Sequence, residues 1–72
     1  MKVTYDPTVD AMSIDFAKGT YHVSREINKG SIIVDFDKKG KLLSIEILDA
    51  SINIPSFDPK NIVVSQTKTA VR

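Results

Sequence analysis

Asp15, His22 and Asp37 are the residues of this chain whose types suit acid–base or metal chemistry. A histidine held between two carboxylates can carry a proton or ligate a metal ion. The same trio also reads as a solvated cross-strand charge cluster, worth roughly a few tenths of a kcal/mol per pair. No nucleophile motif or glycine-rich phosphate loop accompanies it, so the expectation is a protein without catalytic residues or a cofactor. The chain has no cysteine and one histidine. That removes disulfides and thiolate sites and leaves too few soft or imidazole ligands for structural zinc.

The three residues meet only if the strands that carry them are neighbours. Ala11 to Phe16, Tyr21 to Ile27 and Ser31 to Leu48 alternate apolar and polar residues, the period of a half-buried strand. Val3 and Tyr5 make a short strand before Asp6-Pro7, where a turn begins. Lys18-Gly19, Lys29-Gly30 and Asp37-Lys38-Lys39-Gly40 read as the hairpin turns between successive strands.

With two-residue loops at the first two turns, Phe16 faces Tyr21, Ile14 faces Val23, Ile27 faces Ile32 and Val23 faces Phe36. A four-residue loop at Asp37 to Gly40 sets Val34 against Leu43 and Ile32 against Ile45. Directly opposite residues share a face. This register therefore gathers Met12, Ile14, Phe16, Tyr21, Val23, Ile27, Ile32, Val34, Phe36, Leu43, Ile45 and Ile47 on one side. It also places Asp15 and Asp37 on either side of His22. The expected fold is mainly β, an antiparallel meander of about five strands. A short turn or helix follows at Asp49-Ala50-Ser51, with a sixth strand at Ile62-Val63-Val64. Residues 1–66 form one domain and 67–72 a frayed tail.

Four residues suggest contact with another chain. Arg25 falls on the apolar face, expected opposite Met12 and Val34; it either snorkels to water or serves an interface, where arginine is enriched. Ile33, Leu42 and Leu48 make the second face partly apolar, so both faces need cover. Ile52, Ile54 and Phe57 can cover one, leaving the other for a second copy.

Seventy-two residues bury only about 60% of the surface of the unfolded chain. Such domains usually rely on disulfides, metals or association. Association remains, and the expected state is a homo-oligomer. A net charge of +1 gives no pull toward nucleic acid or membrane. The lysines at 18, 38, 39 and 41 read as solubilising hairpin tips with no aromatic stacking platform among them. No apolar run reaches the roughly 20 residues of a membrane span. The expected setting is a reducing cytoplasm.

Three phrases carry a family resemblance. They are Tyr5-Asp6-Pro7-Thr8-Val9-Asp10-Ala11-Met12-Ser13-Ile14, Ile32-Ile33-Val34-Asp35-Phe36-Asp37-Lys38-Lys39-Gly40 and Ile45-Glu46-Ile47-Leu48-Asp49-Ala50-Ser51. Together, over residues 2 to 51, they resemble the Domain of Unknown Function 2283 family of small prokaryotic proteins. The resemblance implies a compact β-rich domain with no agreed catalytic residue. Genes of this family often stand beside genes for small RelE-like toxins, which implies an antitoxin-type role: a toxin-like protein partner bound and covered. No helix-turn-helix or basic arm for DNA binding is present.

Overall fold

The computed structural model describes residues 1–64. Five strands form one antiparallel sheet: β1 (Lys2–Asp6), β2 (Ala11–Asp15), β3 (Tyr21–Ile27), β4 (Ile32–Asp37) and β5 (Leu42–Ile47). A single turn of helix, α1 (Ala50–Asn53), follows. The mainly-β expectation holds, with the short helix where the Asp49-Ala50-Ser51 signal placed it. Ile62, Val63 and Val64 form no strand and are exposed. The tail at 67–72 lies outside the described residues.

The strand order is β1-β2-β5-β4-β3. β3, β4 and β5 are a meander, but β2 leaves the expected hairpin with β3 and pairs with β5. Met12 stands opposite Ile47 and Ile14 opposite Ile45. Alternation could not reveal this, because it assigns side chains to faces without naming the neighbouring strand. The link from Phe16 to Thr20 spans three strand spacings, about 14 Å, within the roughly 18 Å that five extended residues reach.

Gly19 accordingly is no hairpin residue; the positive-φ glycines are Gly30 and Gly40. Gly19 instead lies against Leu43, where a β-carbon would stand 2.9 Å from Leu43 Cδ2. The Phe16 N–H donates to the Leu43 carbonyl at 2.8 Å and leads the link along the end of β5.

The two later turns form where expected. Lys29 and Gly30 have φ of 58° and 86°, and the Ser31 N–H closes on the Asn28 carbonyl at 3.2 Å. Ile27 then faces Ile32 and Val23 faces Phe36, as expected. In the β4–β5 turn the Asp37 carboxylate accepts the Lys39 and Lys41 N–H groups at 2.9 and 2.8 Å. Val34 pairs with Ile45 and Ile32 with Ile47. That is two residues away from the expected partners, an even shift that keeps Ile32, Val34, Ile45 and Ile47 on their expected face.

Two irregularities move residues. Between Asp35 and Phe36 the register shifts so that Leu42, not Leu43, faces Phe36. Leu43 is the extra residue of a bulge and is buried. Between Tyr21 and Val23 a second shift leaves His22 without a partner on β4 and sets Tyr21 opposite Asp37, on the polar side. Tyr21 and Leu43 therefore leave the set expected on the apolar face.

Cover over the sheet is uneven. Ala11, Met12, Leu43 and Ala50 are buried, and among the described residues no large side chain is fully enclosed. Near β1, Phe57 packs edge-on against Tyr5, with ring centroids 5.0 Å apart. At the other side all seven residues of β3 are exposed.

Candidate functional site

The polar trio does not assemble. Asp15 lies opposite Lys2 on β1 and Ser44 on β5, and β5 and β4 separate its strand from β3. Asp15 and His22 are thus on the order of 14 Å apart across the sheet. Asp37 stands opposite Tyr21, beside His22, but one of its oxygens already holds the turn N–H groups. Among the described residues no group of three or more His, Cys, Asp or Glu side chains is arranged to hold a metal ion. The expected cluster failed because it needed β2 beside β3.

A different polar row takes its place. Lys2, Asp15, Ser44, Asp35 and Ser24 are in register across the five strands. Asp35 joins three strands, accepting the Ser44 hydroxyl at 2.8 Å and the Ser24 hydroxyl on its other oxygen. These are ladder contacts that fix register. The sequence shows the serines and aspartates but not that they share a row.

Asp10 is the most connected carboxylate. It sits at φ 52°, a left-handed position that aspartate tolerates better than most residues. The Tyr5 hydroxyl donates to Asp10 Oδ1 at 2.7 Å, and the Ser51 hydroxyl to Oδ2 at 2.6 Å. The Ser51 N–H also points at this carboxylate, 3.1 Å from Oδ1, and the Ala50 N–H reaches the Asp10 carbonyl at 2.9 Å. Asp49, at the helix N-cap, makes no side-chain cap bond. The β1–β2 turn therefore supplies what a local N-cap would supply.

Donation by Ser51, and then by Tyr5, holds the Asp10 carboxyl below its ordinary value. The hydrogen bond to Asp10 raises the Tyr5 phenol in turn. The arrangement is a structural tie between the β1–β2 turn and α1.

The apolar face is the feature left without a structural explanation. Ile32, Val34 and Phe36 on β4 and Ile45 and Ile47 on β5 remain half-buried, while Val23 and Ile27 on β3 are exposed. Arg25 lies opposite Val34 as expected, though Met12 is across from Tyr5 and Ile47 instead. It lines a shallow open depression with Val23, Phe36 and Gly40. Leu42 is opposite Phe36 and so joins this face. Ile33, opposite Glu26 and Glu46, lies on the polar side. So does Leu48, whose N–H bonds the Ser31 carbonyl. The four residues expected at an interface thus divide, with Arg25 and Leu42 on the open face and Ile33 and Leu48 behind it.

Residues 2–51 match the family described as protein of unknown function (DUF2283). The chain belongs to this family. No curated protein and no solved structure matches it. The DUF2283 stretch contains all five strands and ends within α1. It encloses the whole Tyr5–Asp10–Ser51 tie, so the first and third family phrases meet in space at that point. Among the described residues no helix is long and apolar enough to cross a membrane.

Proposed function

We propose that this DUF2283 protein is a non-enzymatic protein–protein interaction module whose contact surface is the open part of its apolar sheet face. One observation carries the reading: Val34, Ile45 and Phe36 at the sheet centre keep part of their surface in water, and Val23 and Ile27 keep more. Half-covered aliphatic side chains on adjacent strands favour burial at about 25 cal/mol per Å² of apolar surface removed from water. A contiguous exposed patch of this kind marks an interaction surface.

The module acts as a homo-oligomer in the cytoplasm. In its narrower, antitoxin-type form it covers a small toxin-like protein. That form rests on the gene association of DUF2283 proteins, and the surface chemistry supports it in being apolar and partly exposed.

Co-expression with the product of the adjacent gene, followed by size-exclusion chromatography, tests the reading. The wild-type chain is expected to co-elute with that product, and Val34→Glu to lose it while keeping its β-sheet circular dichroism. Equal co-elution of Val34→Glu would remove the apolar face from the reading. No co-elution by the wild type would remove the antitoxin-type form.

A further inference from the structure

We infer that self-association runs through the free edge of β3, pairing it antiparallel with β3 of a second copy about a two-fold axis at Ser24. The inference rests on the homo-oligomer reading and specifies its geometry.

Among the described residues β3 is an outer strand with the longest run of the five, and each of its seven residues is exposed. Tyr21 is 61% exposed, Ile27 53% and Val23 41%. An edge strand offers unpaired N–H and C=O groups to any extended chain, and proteins usually guard it with lysine, proline or bulges. β3 has neither lysine nor proline. Its bulge lies at His22, and from Val23 to Ile27 the strand pairs regularly with β4. The opposite edge is better guarded: β1 is shorter, begins at Lys2 and has Phe57 packed on Tyr5.

Charge selects both the occupant and the register. A two-fold axis perpendicular to the sheet must lie midway between one residue of β3 and the same residue of the second copy, because directly opposite residues share a face. Centred on Arg25 it opposes two arginines, and centred on Glu26 two glutamates; like charges directly opposite destabilise a ladder. Centred on Ser24 it pairs His22 to Glu26 with the same stretch of the copy and opposes no like charges, while the bulge turns Tyr21 to the polar side and ends the ladder short of Ile27. His22, which lacks a partner on β4, then faces Glu26 of the second copy, a hydrogen-bonding pair of complementary character. Val23 faces the second copy's Arg25, whose stem covers it while the guanidinium reaches water.

The same axis keeps both apolar faces on one side. The two open regions merge into one continuous platform, which is the surface the proposed function gives to a protein partner.

The chain has no cysteine, so Ser24→Cys introduces its only thiol. Directly opposite residues in an antiparallel pair have Cα atoms about 4.5–5.5 Å apart, within disulfide reach. Mild oxidation is expected to convert Ser24→Cys to a covalent dimer, and to leave a Thr4→Cys control on β1 unlinked. Glu26→Lys is expected to weaken association about tenfold, and His22→Glu in the same chain to restore it. Wild type that sediments as a dimer while Ser24→Cys stays unlinked, or Glu26→Lys without effect, would overturn the edge pairing and leave self-association standing. A monomer at every concentration would overturn both.

Discussion

The Asp10 carboxylate accepts the backbone N–H of Ser51, 41 residues further along the chain, at 3.1 Å. The turn after β1 thereby fixes the start of α1 and carries the chain toward Phe57 and its contact with Tyr5. The tie is made of a few exposed and part-buried hydrogen bonds. It positions the C-terminal segment without needing a deep core.

Asp10→Asn tests this tie without disturbing the backbone, since asparagine also tolerates the left-handed position. One acceptor oxygen becomes a donor facing the Ser51 or Tyr5 group. The melting temperature is expected to fall, and hydrogen exchange to quicken at the Ala50 and Ser51 amides before the strands are affected. Unchanged exchange at those two amides would show that the tie does not hold the helix.

Acid should weaken the same region. Asp6, held low by Thr8, Asp10, held low by Ser51 and Tyr5, and Asp58, held low by Asn61, all lie below the ordinary carboxyl value of 3.8. Depressed carboxyls contribute stability above their unfolded value and lose it as pH falls through the folded one. Tyr5 has the opposite sign: raised above 10.0, it contributes below its unfolded value and loses that contribution as pH rises through the folded one. Thermal melts are expected to show a plateau at neutral pH, with decline below about pH 4 and again above about pH 10. In Asp10→Asn the acid decline should be shallower. An equally steep decline in that variant would contradict the assignment.

Gly19 and Gly40 are glycines for different reasons, and alanine should separate them. Gly40 has φ 79° with nothing within 4 Å of an added β-carbon, so Gly40→Ala should cost about 1 kcal/mol through the backbone alone. Gly19 has no such backbone constraint but crowds Leu43 Cδ2. Gly19→Ala should therefore cost about 1–3 kcal/mol and recover part of that loss in a Leu43→Val background. Additive costs for the pair, measured by urea unfolding, would show that the close approach does not matter. Leu43→Ala alone should cost about 2–5 kcal/mol.

Much of the sheet could be read from period and turns. The Asn28–Ser31 turn and the Ile27–Ile32 and Val23–Phe36 pairs follow from local chemistry, because a short loop fixes its own register; the turn at Asp37 to Gly40 was legible too, but its register stands two residues from the expected one. The neighbour of β2 did not follow. Met12 and Ile14 present the same apolar side to β3 or to β5, and the pairing with Ile47 and Ile45 is long-range. The polar trio depended on that neighbour and was lost with it. Asp10 stood out only as part of the first family phrase, and its reach to Ser51 required the complete fold. The open face was legible from composition, since so short a chain has little with which to cover a five-stranded sheet.

Sedimentation equilibrium of the full chain, from low to high micromolar concentration, tests the central claim that this sheet is completed by another molecule. The account predicts an apparent mass that rises toward that of a dimer, and a Glu26→Lys variant displaced toward the monomer. A single species of monomer mass across the whole range, in wild type and variant alike, would contradict it.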